Sequence, residues 1–151
     1  MDKKISICIC EKCDFRDVVF STLDDLSIQE LCNHKQERSY SKGEIINHEG
    51  EKITDFKYLK SGLVKLFRRA PNGDEQVITI TRPFEFVSNM SIFSDEKYKY
   101  SVSALEDSVV CTVELDYIKR LFLVNGGFAS NLLTKISTIN DKIIGQTLDI
   151  R

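Results

Sequence analysis

Cysteine supplies the most reactive chemistry in this 151-residue sequence, and three of the five cysteines crowd one end: Cys8, Cys10 and Cys13. Cys10 and Cys13 make a C-x-x-C pair with Cys8 two residues before it; Cys32 and Cys111 lie further along. An odd count with a tight N-terminal group favours free thiols or metal ligation over a disulfide framework in a reducing compartment. Thiolates are the ligands that structural zinc and iron–sulfur clusters take. The competing reading makes Cys111 a buried strand residue and leaves the N-terminal thiols on an arm, open to oxidation. Cys32 reads as core.

A second candidate runs from Pro83 to Glu106. Apolar and polar residues alternate from Phe84, then give way to the short segment Ser88-Asn89-Met90-Ser91-Ile92-Phe93. Ser94 to Lys97 is polar, and Tyr98, Tyr100, Val102 and Ala104 then share one face. This pattern predicts strand, one helical turn, loop and strand. A helical turn entered from a strand presents backbone N–H groups that suit an anion. Enzyme chemistry is not supported. The only histidines are His34, placed on a helix, and His48, placed before a turn. Two separated histidines make neither a two-His-one-carboxylate metal site nor a nucleophilic triad. Lys60, Lys65, Arg68 and Arg69 read as a solvated basic face.

These residues need elements to hold them. The length fits one domain with a sizeable core. Apolar content of 42%, charged content of 29% and a net charge of -2 describe a soluble globular chain with no global basic field for nucleic acid. No apolar run approaches the roughly 20 residues a membrane span needs, and Ile5 to Cys10 is too short for a signal-peptide core, so the expected location is the cytoplasm. Ser27 with Glu30 predicts a capping box, stapled by Leu26 and Leu31, that starts a helix running to about Arg38. A shorter helix is expected over 14–22. Between Ser39 and Glu114 the period becomes two, with strands expected near 44–48, 56–60, 63–67, 76–80 and 108–113. Glycines at 43, 50, 62 and 73 punctuate them, and Asn72-Gly73 signals a hairpin. The predicted class is mainly β with flanking helices, a sandwich or jelly roll.

Helical period returns after Glu114. Asp116 is placed to cap a helix carrying Ile118, Leu121 and Phe122 that stops near Asn125-Gly126-Gly127. A final long helix is expected from about Phe128. Leu132, Ile136, Ile139 and Ile143 repeat at spacings of 4, 3 and 4, a coiled-coil seam, and Asn140 near the middle of the stripe could fix its register. The apolar stripe is wider than one contact needs, so one edge could pack on the chain's own body and the other on a second copy.

The order of these pieces resembles the sensory half of the Crp/Fnr superfamily of bacterial transcription regulators. Lys42-Gly43-Glu44, Glu49-Gly50-Glu51, Ser61-Gly62, Gly73-Asp74-Glu75-Gln76 and Ser103-Ala104-Leu105-Glu106-Asp107 carry the resemblance. Asp74-Glu75-Gln76 and Ala104-Leu105-Glu106 look closer to the oxygen-sensing Fnr branch than to the cyclic-AMP branch. The resemblance implies a double-stranded β-helix jelly roll of the cyclic-nucleotide-binding type, followed by a long dimerisation helix. The implied division is an N-terminal cysteine arm and short helix over 1–22, the β-roll effector domain over 23–127 and the dimerisation helix over 128–151. A helix-turn-helix DNA-binding domain would follow, and this sequence contains none. The implied partners are a second copy, DNA through that missing domain, and an unknown small-molecule effector, with no membrane. The alternative is a stand-alone β-roll that regulates a partner protein.

The resemblance also gives the Pro83–Glu106 stretch a role as a phosphate-binding cassette, with Ser88, Asn89, Met90, Tyr98, Lys99 and Tyr100 as its ligand-facing residues. Members that bind cyclic nucleotides open this cassette with Gly-Glu and close it with Arg followed by Ser or Thr. Those places carry Ser88-Asn89 and Tyr98-Lys99, so glycine, carboxylate and arginine are all missing. An ammonium does not replace a guanidinium fork, and cyclic AMP in the standard mode is not expected. Iron–sulfur members place a third cysteine where Val19 stands, which leaves Cys8 as the substitute ligand beside Cys10, Cys13 and Cys111.

Overall fold

The computed structural model describes residues 5–6, 20–87 and 93–149. Its elements are β1 (Ile5–Ser6), α1 (Asp25–Cys32), β2 (Lys35–Tyr40), β3 (Ile45–Asn47), β4 (Asp55–Ser61), β5 (Val64–Arg69), β6 (Glu75–Thr81), β7 (Ser101–Ala104), β8 (Ser108–Glu114), α2 (Leu115–Val124) and α3 (Gly126–Asp149). The strands form two antiparallel sheets, ordered β1-β2-β8-β4 and β3-β7-β5-β6. The expected β-roll with flanking helices is what folds.

Two cores result. Tyr40, Leu59 and Val110 from the first sheet meet Ile46, Val64, Leu66, Val102 and Ala104 from the second, filling the roll. The opposite face of the first sheet carries Phe56, Tyr58, Cys111 and Val113, which pack under Ile28 and Leu31 of α1, Ile118 and Leu121 of α2, and Phe128 and Leu132 of α3. Each such fully buried apolar side chain contributes about 1.5–3 kcal/mol of transfer free energy. β4 and β8 are therefore buried on both faces, while β6 alternates between inside and solvent.

The turns follow their residues. At the expected hairpin, Gly73 (φ 89) donates its N–H to the Ala70 carbonyl at 2.8 Å, and Ala70 N–H reaches the Asp74 carbonyl at 2.7 Å. Gly62 (φ 97) is required twice over. Its backbone is left-handed, and a Cβ there would stand 2.2 Å from Ser108 Oγ.

Four boundaries differ from expectation. Helix α1 is capped by Asp24, whose side chain accepts from the Ser27 N–H at 2.8 Å, and it ends at Cys32 rather than near Arg38. Leu26 is 77% exposed, so it staples nothing. Lys35–Tyr40 is strand β2, because pairing along the whole of β8 outweighs the helix propensity of Lys, Gln, Glu and Arg. Asp116 lies in the first turn of α2, not at its cap. Asn125 does end α2, but Gly126 and Gly127 open α3 instead of trailing α2. Most of the helix expected over 14–22 lies outside the described residues.

Candidate functional site

The β6–β7 connection is built on the free edge of β4. The Phe84 N–H bonds the Leu59 carbonyl at 2.6 Å, Leu59 N–H bonds the Glu85 carbonyl at 2.9 Å, and Val87 N–H bonds the Lys57 carbonyl at 3.0 Å. Phe86 is thereby buried, 5.0 Å from the Phe56 ring, while Phe84 is 39% exposed. The returning limb is fixed by Ile53 N–H to the Glu96 carbonyl at 2.6 Å and by Tyr98 N–H to the Glu51 carbonyl at 3.0 Å. Phe84 (φ 69) and Glu96 (φ 58) hold left-handed conformations that non-glycine residues rarely adopt.

The candidate ligand residues divide. Ser88, Asn89 and Met90 lie outside the described residues. Tyr98 is buried, and its hydroxyl accepts from Lys57 Nζ at 2.8 Å. Burial pushes its phenol far above the ordinary range, with the nearby Asp55 carboxylate adding to the effect. Lys99 points outward and pairs with Asp95, whose carboxyl the Lys99 hydrogen bond holds below its ordinary range. Tyr100 is half-buried against the inter-sheet core. The two positions read as a phosphate clamp thus face opposite ways. Between Pro83 and Ser101 the sequence has neither glycine nor arginine, so the residues present do not fit a cyclic nucleotide phosphate held in the usual way.

Spacing did not flag Lys57. It sits between Phe56 and Tyr58 in the stretch of β4 that is buried on both faces, and it is 5% exposed. Asn47 and Thr79 were also missed. Strand pairing sets Asn47, Val102, Leu66 and Thr79 in one row across the second sheet. All four are buried, and Asn47 Nδ2 and Thr79 Oγ1 have no hydrogen-bond partner. Buried polar groups left unpaired cost about 1–3 kcal/mol each, so the row is unusual for a purely structural core.

At the far end of the first sheet, a concavity of about 470 Å³ is lined by His34, Gln36, Arg38, Asp55 and Glu114 among others. His34, expected in a helix, follows α1; its Nδ1 lies 2.9 Å from Glu114 Oε2 and its ring stacks on Tyr117 at 4.2 Å. Three of the four residues of the basic run pair with carboxylates, Lys60 with Glu37, Lys65 with Glu75 and Arg68 with Glu49, while Arg69 reaches the Gly73 carbonyl.

Cys111 makes no disulfide and has no exposure, in the middle of β8. Cys32, read from the sequence as core in a chain of free or metal-ligating thiols, is instead only partly buried beside the main core and is disulfide-bonded. Cys8, Cys10 and Cys13 lie outside the described residues. Among the described residues no three His, Cys, Asp or Glu side chains could together hold a metal ion.

On α3, Leu132 is fully buried, and Ile136 and Ile139 pack against the chain's own core. The neighbouring stripe faces solvent, with Leu133 51% and Ile144 58% exposed. Among the described residues no helix is long and apolar enough to cross a membrane.

A β-roll whose long β6–β7 connection packs on the edge of β4, followed by a long trailing helix, is the fold that carries the candidate site. Residues 37–125 match the cyclic nucleotide-binding domain, and the chain belongs to that family. It is 30% identical over 101 residues to the transcriptional activator Anr of Pseudomonas aeruginosa, a match covering 66% of this chain and 40% of that protein. The sensor domain of the transcriptional regulator DNR from the same organism superposes with a TM-score of 0.72 at 27% identity, covering 84% of this chain and 85% of that one. An uncharacterised protein of Haemophilus influenzae is 26% identical over 106 residues, covering 70% of this chain and 82% of that protein. The chain spans less than half the length of the named regulators it matches. These relatives are Crp/Fnr transcription regulators, several of the Anr and Fnr type, and not enzymes, as the sequence led us to expect.

Proposed function

We propose that this chain is the effector-sensing and dimerisation part of a Crp/Fnr-type regulator, with α3 as its output. A signal at the roll shifts the packing of α3 against its twin and re-aims DNA-reading heads carried by a further domain. Such a change is a population shift between two dimer arrangements. The division into arm, roll over 23–127 and helix over 128–151 belongs to this proposal.

The observation that carries it is the two-sided α3. Leu132, Ile136 and Ile139, read from the sequence as the seam, lie on the chain's own body. Leu133, Ser137, Asn140 and Ile144 repeat the same spacing of 4, 3 and 4 on the exposed edge. That edge is the better seam for a second copy, with Asn140 as its register residue. Ile143, half-buried, borders both stripes.

The effector differs from cyclic AMP in the standard mode, because the cassette has no guanidinium and Tyr98 is turned inward. A small polar ligand inside the roll is supported by the unmet hydrogen bonds of Asn47 and Thr79. Metal at the N-terminal cysteines with Cys111 would place one ligand in the middle of β8, at a position with no exposure.

Sedimentation velocity over a range of protein concentrations tests the reading. The chain should sediment as a dimer, and Leu133→Glu with Ile144→Glu should give a folded monomer. Calorimetric titration with cyclic AMP should give no saturable heat. A wild-type chain that stays monomeric at every concentration would overturn the dimerisation role.

A second reading, a stand-alone roll acting on a partner protein, draws support from the Haemophilus influenzae relative, 82% of which the match covers. Capture of DNA by the product of the complete reading frame separates the two.

A further inference from the structure

The inner face of the first sheet changes character along its length. Tyr40, Leu59 and Val110 fill the roll with apolar surface. Side chains alternate across a strand, so two positions along from each of these the same face carries Arg38, Lys57 and Thr112, and two further along Gln36, Asp55 and Glu114. A strand that merely runs out into water becomes polar at its exposed end. Here polarity begins while the face is still covered: Lys57 and Thr112 are buried, and Arg38 is half-buried. The concavity of about 470 Å³ is lined by the outer part of this face, and its size falls within the roughly 300–1,000 Å³ of small-molecule sites. Its charges are largely unmatched. Arg38 meets the Tyr40 hydroxyl, but its Nε is buried without a hydrogen-bond partner, and among the described residues no carboxylate pairs with its guanidinium. Asp55 accepts from the neighbouring Thr54 hydroxyl at 3.2 Å and pairs with no cation among those residues. Glu114 has the His34 ring, 2.9 Å away. Lys35, also at the rim, sends its ammonium to the opposite face of the sheet, over the Tyr58 ring at 4.8 Å.

We propose that this concavity binds a free α-amino acid, with Arg38 holding the carboxylate and Asp55 and Glu114 holding the ammonium. A guanidinium offers a carboxylate a fork of N–H donors, and an ammonium is held by acceptors of opposite charge. A half-buried arginine with no carboxylate of its own is costly in a purely structural role and suits a site that receives an anionic group. Arg38 set against Asp55 and Glu114 leaves the wall with more negative charge than positive. A basic amino acid, with its second cation, therefore matches the wall better than an acidic one. The site goes beyond the reading of α3 as output and does not depend on it. It also lies apart from the polar row of Asn47 and Thr79, which belongs to the other sheet.

Equilibrium dialysis of the full chain against radiolabelled L-lysine tests the site. Binding should saturate at millimolar concentration or below. Unlabelled L-arginine should compete, and L-glutamate should compete about tenfold more weakly or worse, because its second carboxylate meets like charge. Propionate and propylamine, which carry one of the two groups each, should not displace the label at the same concentrations. Arg38→Gln and Asp55→Asn should each weaken L-lysine binding about tenfold or more, the loss of one charge-assisted contact. Binding that survives both substitutions would overturn the site. So would binding lost on Thr79→Val and kept on Arg38→Gln, which would place the ligand inside the roll. Displacement by propionate as effective as by L-arginine would make the concavity an anion site and overturn the proposal, as would the absence of saturable binding. Should Arg38→Gln unfold the chain, Arg38→Lys, which keeps the charge and loses the fork, carries the same test. Failure of the dimerisation reading would appear in sedimentation and leave L-lysine binding intact, so the two ideas fail separately.

Discussion

Helix α3 carries two stripes with the same spacing and opposite fates. The first, from Phe128 through Leu132 to Ile139, is buried on the roll's outer core. The second, Leu133, Ser137, Asn140 and Ile144, faces solvent. Periodicity established that the helix has a broad apolar face, but it could not say which edge the chain keeps for itself. Phe128 decides it. Its ring stacks on Phe20 at 5.8 Å with an interplanar angle of 4°, and this anchor at the start of the helix fixes the rotation of everything after it. The inner stripe thus serves the stability of one chain, and the outer stripe is the one we propose for association.

Substitutions should separate the stripes. Phe128→Ala should cost about 3–5 kcal/mol in urea denaturation, the usual cost of emptying a fully buried aromatic site. A loss below ~1 kcal/mol would mean that the helix docks independently of this anchor. Leu133→Ala and Ile144→Ala should each change monomer stability by no more than about 0.5 kcal/mol, as exposed positions do, while weakening dimerisation. A large monomer effect would place those residues in the chain's own core.

The smallest effect is with acid. The Lys119 hydrogen bond holds the Glu96 carboxyl below its ordinary value of 4.5. A carboxyl lowered in the folded state contributes fully above that value and loses its contribution as pH falls through the lowered one. Exchange at the Ile53 amide, which bonds the Glu96 carbonyl, should therefore, corrected for intrinsic rate, be flat around neutral pH and rise only below 4.5. A rise already near neutrality would contradict the role given to Glu96.

Most of the roll was legible in the sequence because its second sheet obeys a simple rule: one face in, one face out. Val64 and Leu66 point inward and Lys65 outward, and the glycine at 73 marks its hairpin. The first sheet hides that rule because helices cover its other side. The residues up to Arg38 read as the end of a helix and lie in strand β2; Lys57, in a segment read only as a strand, is buried against Tyr98. The cassette was legible as a segment and as a departure from the usual phosphate clamp. The partners of its carboxylates were not, because Lys119, which pairs with Glu96, and Lys142, which pairs with Glu85, lie far along the chain and nothing in their local sequence points there. Asn125-Gly126-Gly127 reads as a stop, and its second role as the start of α3 appears only when Asn125 Oδ1 is seen on the Phe128 N–H.

The central claim is that α3 gives one stripe to its own roll and the other to its twin. Site-specific photocrosslinking tests it most directly, with a benzophenone side chain placed at Leu133 in one preparation and at Ile136 in another. We predict covalent dimers from position 133 and only intrachain products from position 136. Dimers from 136 with none from 133 would contradict the account, because the helix would then have to leave the core seen here and pair through the stripe that holds it down.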